Sequence, residues 1–378
     1  MGFVAARRPA RLFFMIGFDV RMSPCQYPSV ISRKKIHYEA TAWLGQYLYH
    51  FGRYSNIPLV YDDLLRFTGS VPYEDPEGRE TLWLTVMYPQ EVMRELRPQL
   101  TRIYTDLKVG GESAHHEHLI VDRIDFGEFG NSRPFRIRIT NQYNDNSDYF
   151  YVKHADASRI YGLELEHILS PNRINYLARG NTLIEEHIAG VPGDVFIGKY
   201  LPKPEVNKVR VAKEFVKFNE RCFIRLLGDM RSVNYVVEIT PDFEAVQYRV
   251  RPIDFDQQSY HGRSKTYMAY HFDSNRAVTR LSFREMNRQT IAQYAEEERT
   301  QMARRARAER ARLQALLRTM EREDLAPMEN IIRLRNGLNR IHGTDIFTEC
   351  DTMGSLTKKH IEQMLFNPDF AYKIRNRA

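Results

Sequence analysis

The sequence predicts an α+β chain in which a β-rich stretch lies between two helical regions, and three observations carry that prediction. Leu119–Phe126, Phe135–Ile139 and Asp148–Val152 alternate or run apolar, rich in β-branched and aromatic residues, with turn clusters such as Asn141–Asn146 between them. Ahead of them, Gln90–Leu107 sets Val92, Leu96, Leu100, Ile103 and Leu107 at helical spacing, with Pro98 expected to kink the helix. Behind them, Ser282 with Glu285 three residues on forms a capping-box pattern. It opens a stretch of about 40 residues, to near Asp324, that holds neither Pro nor Gly.

The 378 residues are 43% hydrophobic, enough to bury a core in one large domain or two ordinary ones. Lys and Arg number 55 against 48 Asp and Glu, a net charge of +7 that suits a phosphate-bearing partner without requiring one. Cys25, Cys222 and Cys350 are far apart and odd in number, so neither a disulfide framework nor a zinc site is expected, and a reducing, cytoplasmic setting is the default. No run approaches the roughly 18 apolar residues that cross a bilayer. The start, Arg7 to Arg11 followed by Leu12 to Phe18, has the order of a signal peptide, but Asp19 ends its short apolar run and no small-x-small site follows. Ala6 replaces the Ser or Thr that myristoylation of Gly2 would want. Residues 1–36 are expected to be a basic, disordered leader.

Taken in order, Tyr38–Tyr54 places Trp43, Tyr47, Leu48 and Phe51 on a first helix, and Leu82–Met87 reads as a strand. With the helix ending at Gly110-Gly111, these form an extension over 37–114. Ser158–Leu169 reads as a helix, and the run Thr182 to Gly193 as a strand leaving into a Gly/Pro connector. Tyr235–Glu238 and Ala245–Val250 flank the turn Thr240-Pro241-Asp242 as a hairpin. In the C-terminal region, 276–378, the stretch Glu296–Arg312 is nearly all Glu, Arg, Gln and Ala and reads as a solvated spacer or coiled-coil edge. Leu313, Leu316, Leu317 and Met320 then supply an apolar stripe. Pro327 breaks the helix, and Ile331–Ile341 and Thr357–Phe366 are shorter helices. Arg333, Arg335 and Arg340 lie on the first of these, read as a packing helix. His116 and His118 would share a strand face as two metal ligands do, but with no third ligand in reach they read as a polar loop.

Chemistry concentrates in Leu226 to Asn234, containing Gly228-Asp229 and Asn234, and in Arg251-Pro252-Ile253-Asp254-Phe255-Asp256. Phosphoryl transfer needs a carboxylate to orient the attacking hydroxyl and oxygen ligands to hold magnesium against nucleotide phosphates. An Asp and an Asn five residues apart on one loop, with a further Asp returned by a hairpin, meet that need.

These two motifs resemble those of the protein-kinase-like superfamily, nearest its aminoglycoside and choline phosphotransferase branch, which pairs a Gly-Asp loop with an Ile-Asp-aromatic-acid motif. The resemblance spans about 119–258. It implies a two-lobed protein-kinase-like fold with a helical N-terminal extension and a helical C-terminal appendage, and ATP and Mg2+ as cofactors. It implies Asp229 as catalytic base, Asn234 and Asp254 as magnesium ligands, with Asp256, the motif's second acid, as a third metal-site residue, and Arg231 as a cation near the transferring phosphoryl group. Leu227 departs from the His that usually precedes Gly-Asp. The N-lobe then falls at 115–190 and the C-lobe core at 191–275. Within the N-lobe, Lys153 shares a strand face with Tyr149 and Tyr151 and is the candidate phosphate-binding lysine. Glu164, among Ile160, Tyr161, Leu163 and Ile168 on the helical wheel, is expected to pair with it, while Glu166 points to the solvated side. Glu186 to Ile188 would be the adenine-binding hinge, and Gly127 and Gly130 the phosphate loop.

The expected activity is transfer of the γ-phosphoryl group of ATP to a hydroxyl, on a small molecule or a protein. One alternative is an inactive kinase-like nucleotide-binding scaffold that meets a protein partner through the long helix 283–323. The other is a basic nucleic-acid-binding protein, against which the Arg-rich stretch lacks interleaved aromatic residues. No membrane partner is expected.

Overall fold

The computed structural model describes residues 35–54, 57–75, 78, 80–109, 117–128, 132–242 and 246–367. The expected leader, apart from Lys35 and Ile36, lies outside the described residues, as do Gly110-Gly111, His116, Gly130 and Ala245.

Helix α1 (Ala42–His50) opens the described chain, its start capped by the Thr41 hydroxyl, which accepts from the Leu44 N–H. Strands β1 (Gly69–Glu74) and β2 (Glu80–Met87) precede α2 (Gln90–Val109), which keeps Pro98 inside it. Strands β3 (Leu119–Gly127), β4 (Phe135–Asn141) and β5 (Ser147–His154) follow where the alternation places them. Helix α3 (Ala157–Leu169) then leads to β6 (Tyr176–Arg179) and β7 (Thr182–Glu186). The seven strands form one antiparallel sheet of order β1-β2-β3-β4-β5-β7-β6. The sequence reading misses β1, which carries Pro72, and β6, only four residues long. Leu96, Leu100, Ile103 and Leu107 of α2 are buried in a core with Ile124, Ile137, Phe150 and Val152 of the sheet.

After β7 the chain enters β8 (Val191–Pro192), then α4 (Gly193–Val195), which continues as a π-helical turn to Tyr200. Helix α5 (Lys208–Ile224) precedes β9 (Tyr235–Thr240) and β10 (Gln247–Pro252), the expected hairpin, which β8 joins in a second sheet of order β10-β9-β8. The rest is helical: α6 (Arg276–Glu285), α7 (Arg288–Ala308), α8 (Arg310–Glu321), α9 (Met328–His342) and α10 (Met353–Phe366). A second core gathers residues of α1, α3 and α5 to α10. The architecture is thus α+β, with the larger sheet ahead of a helix-rich part.

The single helix expected over 282–324 is three. Ser282 lies near the end of α6, its hydroxyl donating to the Val278 carbonyl, so the Ser282/Glu285 pattern caps nothing. Asn287 is the cap, its Oδ1 accepting from the Thr290 N–H at 2.8 Å. Nor is the charged stretch a free spacer: Glu298, Arg299, Met302, Ala303 and Ala306 are buried. Arg299 meets Glu220 of α5 at 3.4 Å, and Glu298 meets Arg221 at the same distance. Among the described residues no helix is long and apolar enough to cross a membrane.

Candidate active site

The base loop follows α5. Leu226 and Asp229 both adopt the left-handed backbone region, with φ of 55° and 58°. Such a conformation costs on the order of 1–3 kcal/mol for a non-glycine residue and persists where surroundings over-determine it. They do so here through the acidic segment. Leu227 bridges Gln258, Ser259 N–H donates to the Leu226 carbonyl, and Gly228 N–H donates to the Gln257 carbonyl at 3.2 Å. A Cβ on Gly228 would stand 3.1 Å from that same carbonyl oxygen, which accounts for glycine before the aspartate. Asn234 closes the loop from within, donating from Nδ2 to the Asp229 carbonyl at 2.7 Å, while its own carbonyl accepts from Ile253 N–H at 3.0 Å. The loop that carries Asp229 and Asn234 is thereby joined to the segment that carries Asp254. Arg231 is indeed beside the aspartate, its Nη2 donating to Asp229 Oδ2 at 2.8 Å. Half-buried His261, absent from the sequence reading, lies within electrostatic reach of Asp229. Burial pushes its pKa down while the Asp229 carboxylate opposes that shift.

Lys153 is 8% exposed on β5 and belongs to the same charged cluster, but its partner is not Glu164. Its Nζ meets Glu185 Oε2 at 2.7 Å. Glu185 stands opposite Tyr151 in the β5–β7 register, two residues along β5 from Lys153, so the acid comes from the neighbouring strand and not from the helix. The helix supplies a second cation instead. Arg159, 3% exposed, places Nε and Nη2 on the two oxygens of Glu185 at 2.5 and 3.0 Å and Nη1 on Oδ1 of Asp254 and of Asp256 at 3.0 and 2.8 Å. Gly162, one helical turn beyond, allows this approach: a Cβ there would stand 2.9 Å from Phe255 Cβ. Burial alone would raise the Glu185 pKa, yet the charges of Arg159 and Lys153 outweigh it and pull it down to about 2. Burial and the Asp256 charge push one member of the Asp254/Asp256 pair, Asp254, up to about 6 against the pull of Arg159. Lys153 is held below its ordinary value by burial and by Arg159.

Glu164 is fully buried as its helical position predicts, but on the opposite flank of α3. It accepts from Tyr47 Oη at 2.7 Å, Tyr176 Oη at 2.6 Å and Arg312 Nε at 2.6 Å, with Arg53 at 3.6 Å. Glu166, expected in solvent, is buried against Arg225. Gly127 and Glu186 are engaged in contacts of their own. Gly127 lies within the ladder, paired with Trp83 and donating its N–H to the Pro134 carbonyl at 2.8 Å, so that N–H is already engaged. Glu186 is tied back to Asn175, which donates to its carboxylate from the backbone and accepts from its N–H; Ile188 beyond it is buried. His118 stacks on Tyr143 at the rim of a 350 Å³ cavity away from this cluster, where Lys108 and Asp148 pair at 2.8 Å.

Among the described residues no group of three or more His, Cys, Asp or Glu could hold a metal by itself. Magnesium does not need one, since it takes one or two protein carboxylates and fills its shell with water and phosphate oxygens. Asp254 takes its hydrogen bonds from Arg159 and from the Asp256 N–H on Oδ1, leaving Oδ2, and Asn234 donates from Nδ2, leaving its amide oxygen. Both are hard oxygens of the kind magnesium takes. Asp256, like Asp254, is held through Oδ1 by Arg159 Nη1. Compared with models of known protein families and with curated proteins, the chain matches none.

Proposed function

We propose that this chain is a kinase-like, ATP- and magnesium-dependent phosphotransferase acting on a hydroxyl. The observation that carries the reading is the stapling of the Asp229–Asn234 loop to the Asp254–Gln258 segment, with Lys153 in the same charged cluster. The linear order that carries the resemblance, lysine strand, helix, connector, base loop, hairpin and acidic segment, is also the order in which the chain builds this cluster.

In this reading Asp229 orients the acceptor hydroxyl and takes its proton, and Arg231 fixes the Asp229 carboxylate and adds positive charge where the phosphoryl group passes. Asp254 and Asn234 would hold magnesium, which supplies neutralisation of the nucleotide phosphates. Lys153 would meet the same phosphates from the sheet. Cys222 and Cys350, both free and buried, accord with a reducing cytoplasmic setting. A protein partner at 283–323 is the less favoured reading, since one face of α7 is paired with α5 through Lys217–Glu297 and Arg299–Glu220.

Thermal stability titrated with magnesium and ATP tests the site, because a ligand of the folded state stabilises it by mass action. Asp229→Ala should keep that stabilisation while ATP hydrolysis, with water as surrogate acceptor, falls by about 10² to 10⁴. Hydrolysis equal to wild type in that variant removes Asp229 from catalysis. A second reading, nucleotide binding without transfer, is favoured by the hold of Arg159 on Asp254 and Asp256. Stabilisation by magnesium and ATP with no turnover above a metal-free blank selects it.

A further inference from the structure

We propose that Arg159 is a built-in counter-cation that competes with magnesium for Asp254 and Asp256, keeping the site closed until metal and nucleotide take those carboxylates from it. The inference rests on the phosphotransferase reading for the identity of its ligand. A guanidinium has five N–H donors in a fixed fork. All five are used here: Nε on Glu185, Nη2 on Glu185 and on the Ile253 carbonyl, and Nη1 on Asp254 and Asp256.

The hold is divided unevenly. Nε and Nη2 grip both oxygens of Glu185 as a fork, whereas Nη1 alone spans the two aspartates. With the fork held on Glu185 the planar guanidinium keeps Nη1 in place, so exchange comes by the Asp254 and Asp256 carboxylates turning from Nη1 to the metal while Arg159 stays anchored to the sheet and to the Ile253 carbonyl. The helix itself is pinned three residues earlier. Asp156 caps it, Lys35 meets Asp156 Oδ1 at 2.5 Å, and Ala157 N–H donates to the Tyr38 carbonyl. The start of the helix that carries Arg159 is thus tied to the segment before α1. The charges favour an exchange as well: Lys153 and Arg159 face three carboxylates, Glu185, Asp254 and Asp256, leaving one negative charge over. A divalent ion meets that excess, but only if the guanidinium yields oxygens it now holds.

Manganese, followed by its electron paramagnetic resonance signal, is titrated without nucleotide into wild type and into the double variant Arg159→Gln, Glu185→Gln. The pair removes one charge of each sign, so a change in affinity reports freed oxygens and not altered net charge. The manganese Kd should fall by about tenfold or more, in line with the sensitivity of hard-cation sites to available carboxylates. Arg159→Lys, which keeps the charge and can still meet Glu185 but cannot span both aspartates, should give a several-fold fall and guards against misfolding of the double variant. Manganese binding unchanged or weaker in a folded variant overturns the inference. ATP titrations of the same proteins separate the two readings. A wild type that binds magnesium and ATP while the variants gain no manganese affinity sinks the inference alone. Variants that gain manganese but never bind nucleotide sink the nucleotide reading alone.

Discussion

Glu164 and Glu185 are both buried carboxylates near α3, and their surroundings differ in kind. Glu164 sits among two tyrosines and two arginines drawn from α1, β6, α8 and the segment after α1, with 0% of its side chain exposed. Burial would raise its pKa, but the hydrogen bond and charge of Arg312 outweigh that and lower it. The second cluster carries a surplus carboxylate, and Asp254 there keeps 32% of its side chain exposed. One cluster meets its single carboxylate with two cations and ties elements together. The other is closed by a cation that leaves a charge uncompensated, as a place for a ligand would be. A buried acid thus identifies a need for a cation, while the sign of the charge left over around it separates a structural tie from a candidate cation site.

The sharpest way to break that contrast is Glu164→Ala. It strands Arg312 and Arg53 and should cost about 3–5 kcal/mol in urea unfolding, yet leave the ATP-induced shift in the surviving fold unchanged. Loss of the nucleotide response there would make the two clusters one. Asp254→Asn should do the reverse. The fold should survive, while the magnesium-dependent gain, about 2.7 kcal/mol at a ligand concentration of one hundred times Kd, disappears; retained stabilisation would take Asp254 out of the site. Tyr176→Phe, which deletes one charge-assisted hydrogen bond to Glu164, should lower stability by about 2 kcal/mol without touching metal dependence.

The smallest expected effect is on pH. Asp254 must ionise to meet a cation, and with its pKa raised to about 6, metal-dependent nucleotide affinity should rise about tenfold from pH 5 to pH 7. Without ligand the sign reverses. The folded carboxyl holds its proton to higher pH than the unfolded one at 3.8, so its contribution to stability declines as pH climbs from 3.8 to about 6. Glu185 runs the other way, its contribution present above 4.5 and lost as pH falls through about 2. A flat affinity profile between pH 5 and 7, measured by isothermal titration, would count against Asp254 as the titrating ligand.

What the sequence makes legible is local. Strands β3 to β5, helix α3, the β9–β10 hairpin and the pairing of Asp229 with Asn234 follow from periodicity and short spacings. The partners of buried charges do not. Arg312 reaches Glu164 across 148 residues of chain, and Glu185 reaches Lys153 through a strand register fixed only when β7 skips past β6 to pair with β5. A glutamate beside the apolar pair Leu183-Ile184 in a strand was the available sign that Glu185 turns inward. The misplaced helix start has a similar cause: Ser282 and Glu285 have the right spacing, but Asn287 competes with the backbone two residues later and takes the cap.

The closure of α3 bears on modularity. The motifs occupy 119–258, which invites cutting the protein down to that span. The helix that carries Arg159 is nevertheless completed from outside it, by Lys35 and Tyr38 at its N-terminal end and by Tyr47, Arg53 and Arg312 around Glu164. An excised 119–258 fragment would bury Glu164 without a cation and leave Asp156 without Lys35. The candidate site is therefore indivisible from both ends of the described chain, and grafting its motifs onto another scaffold would have to carry those distant partners along.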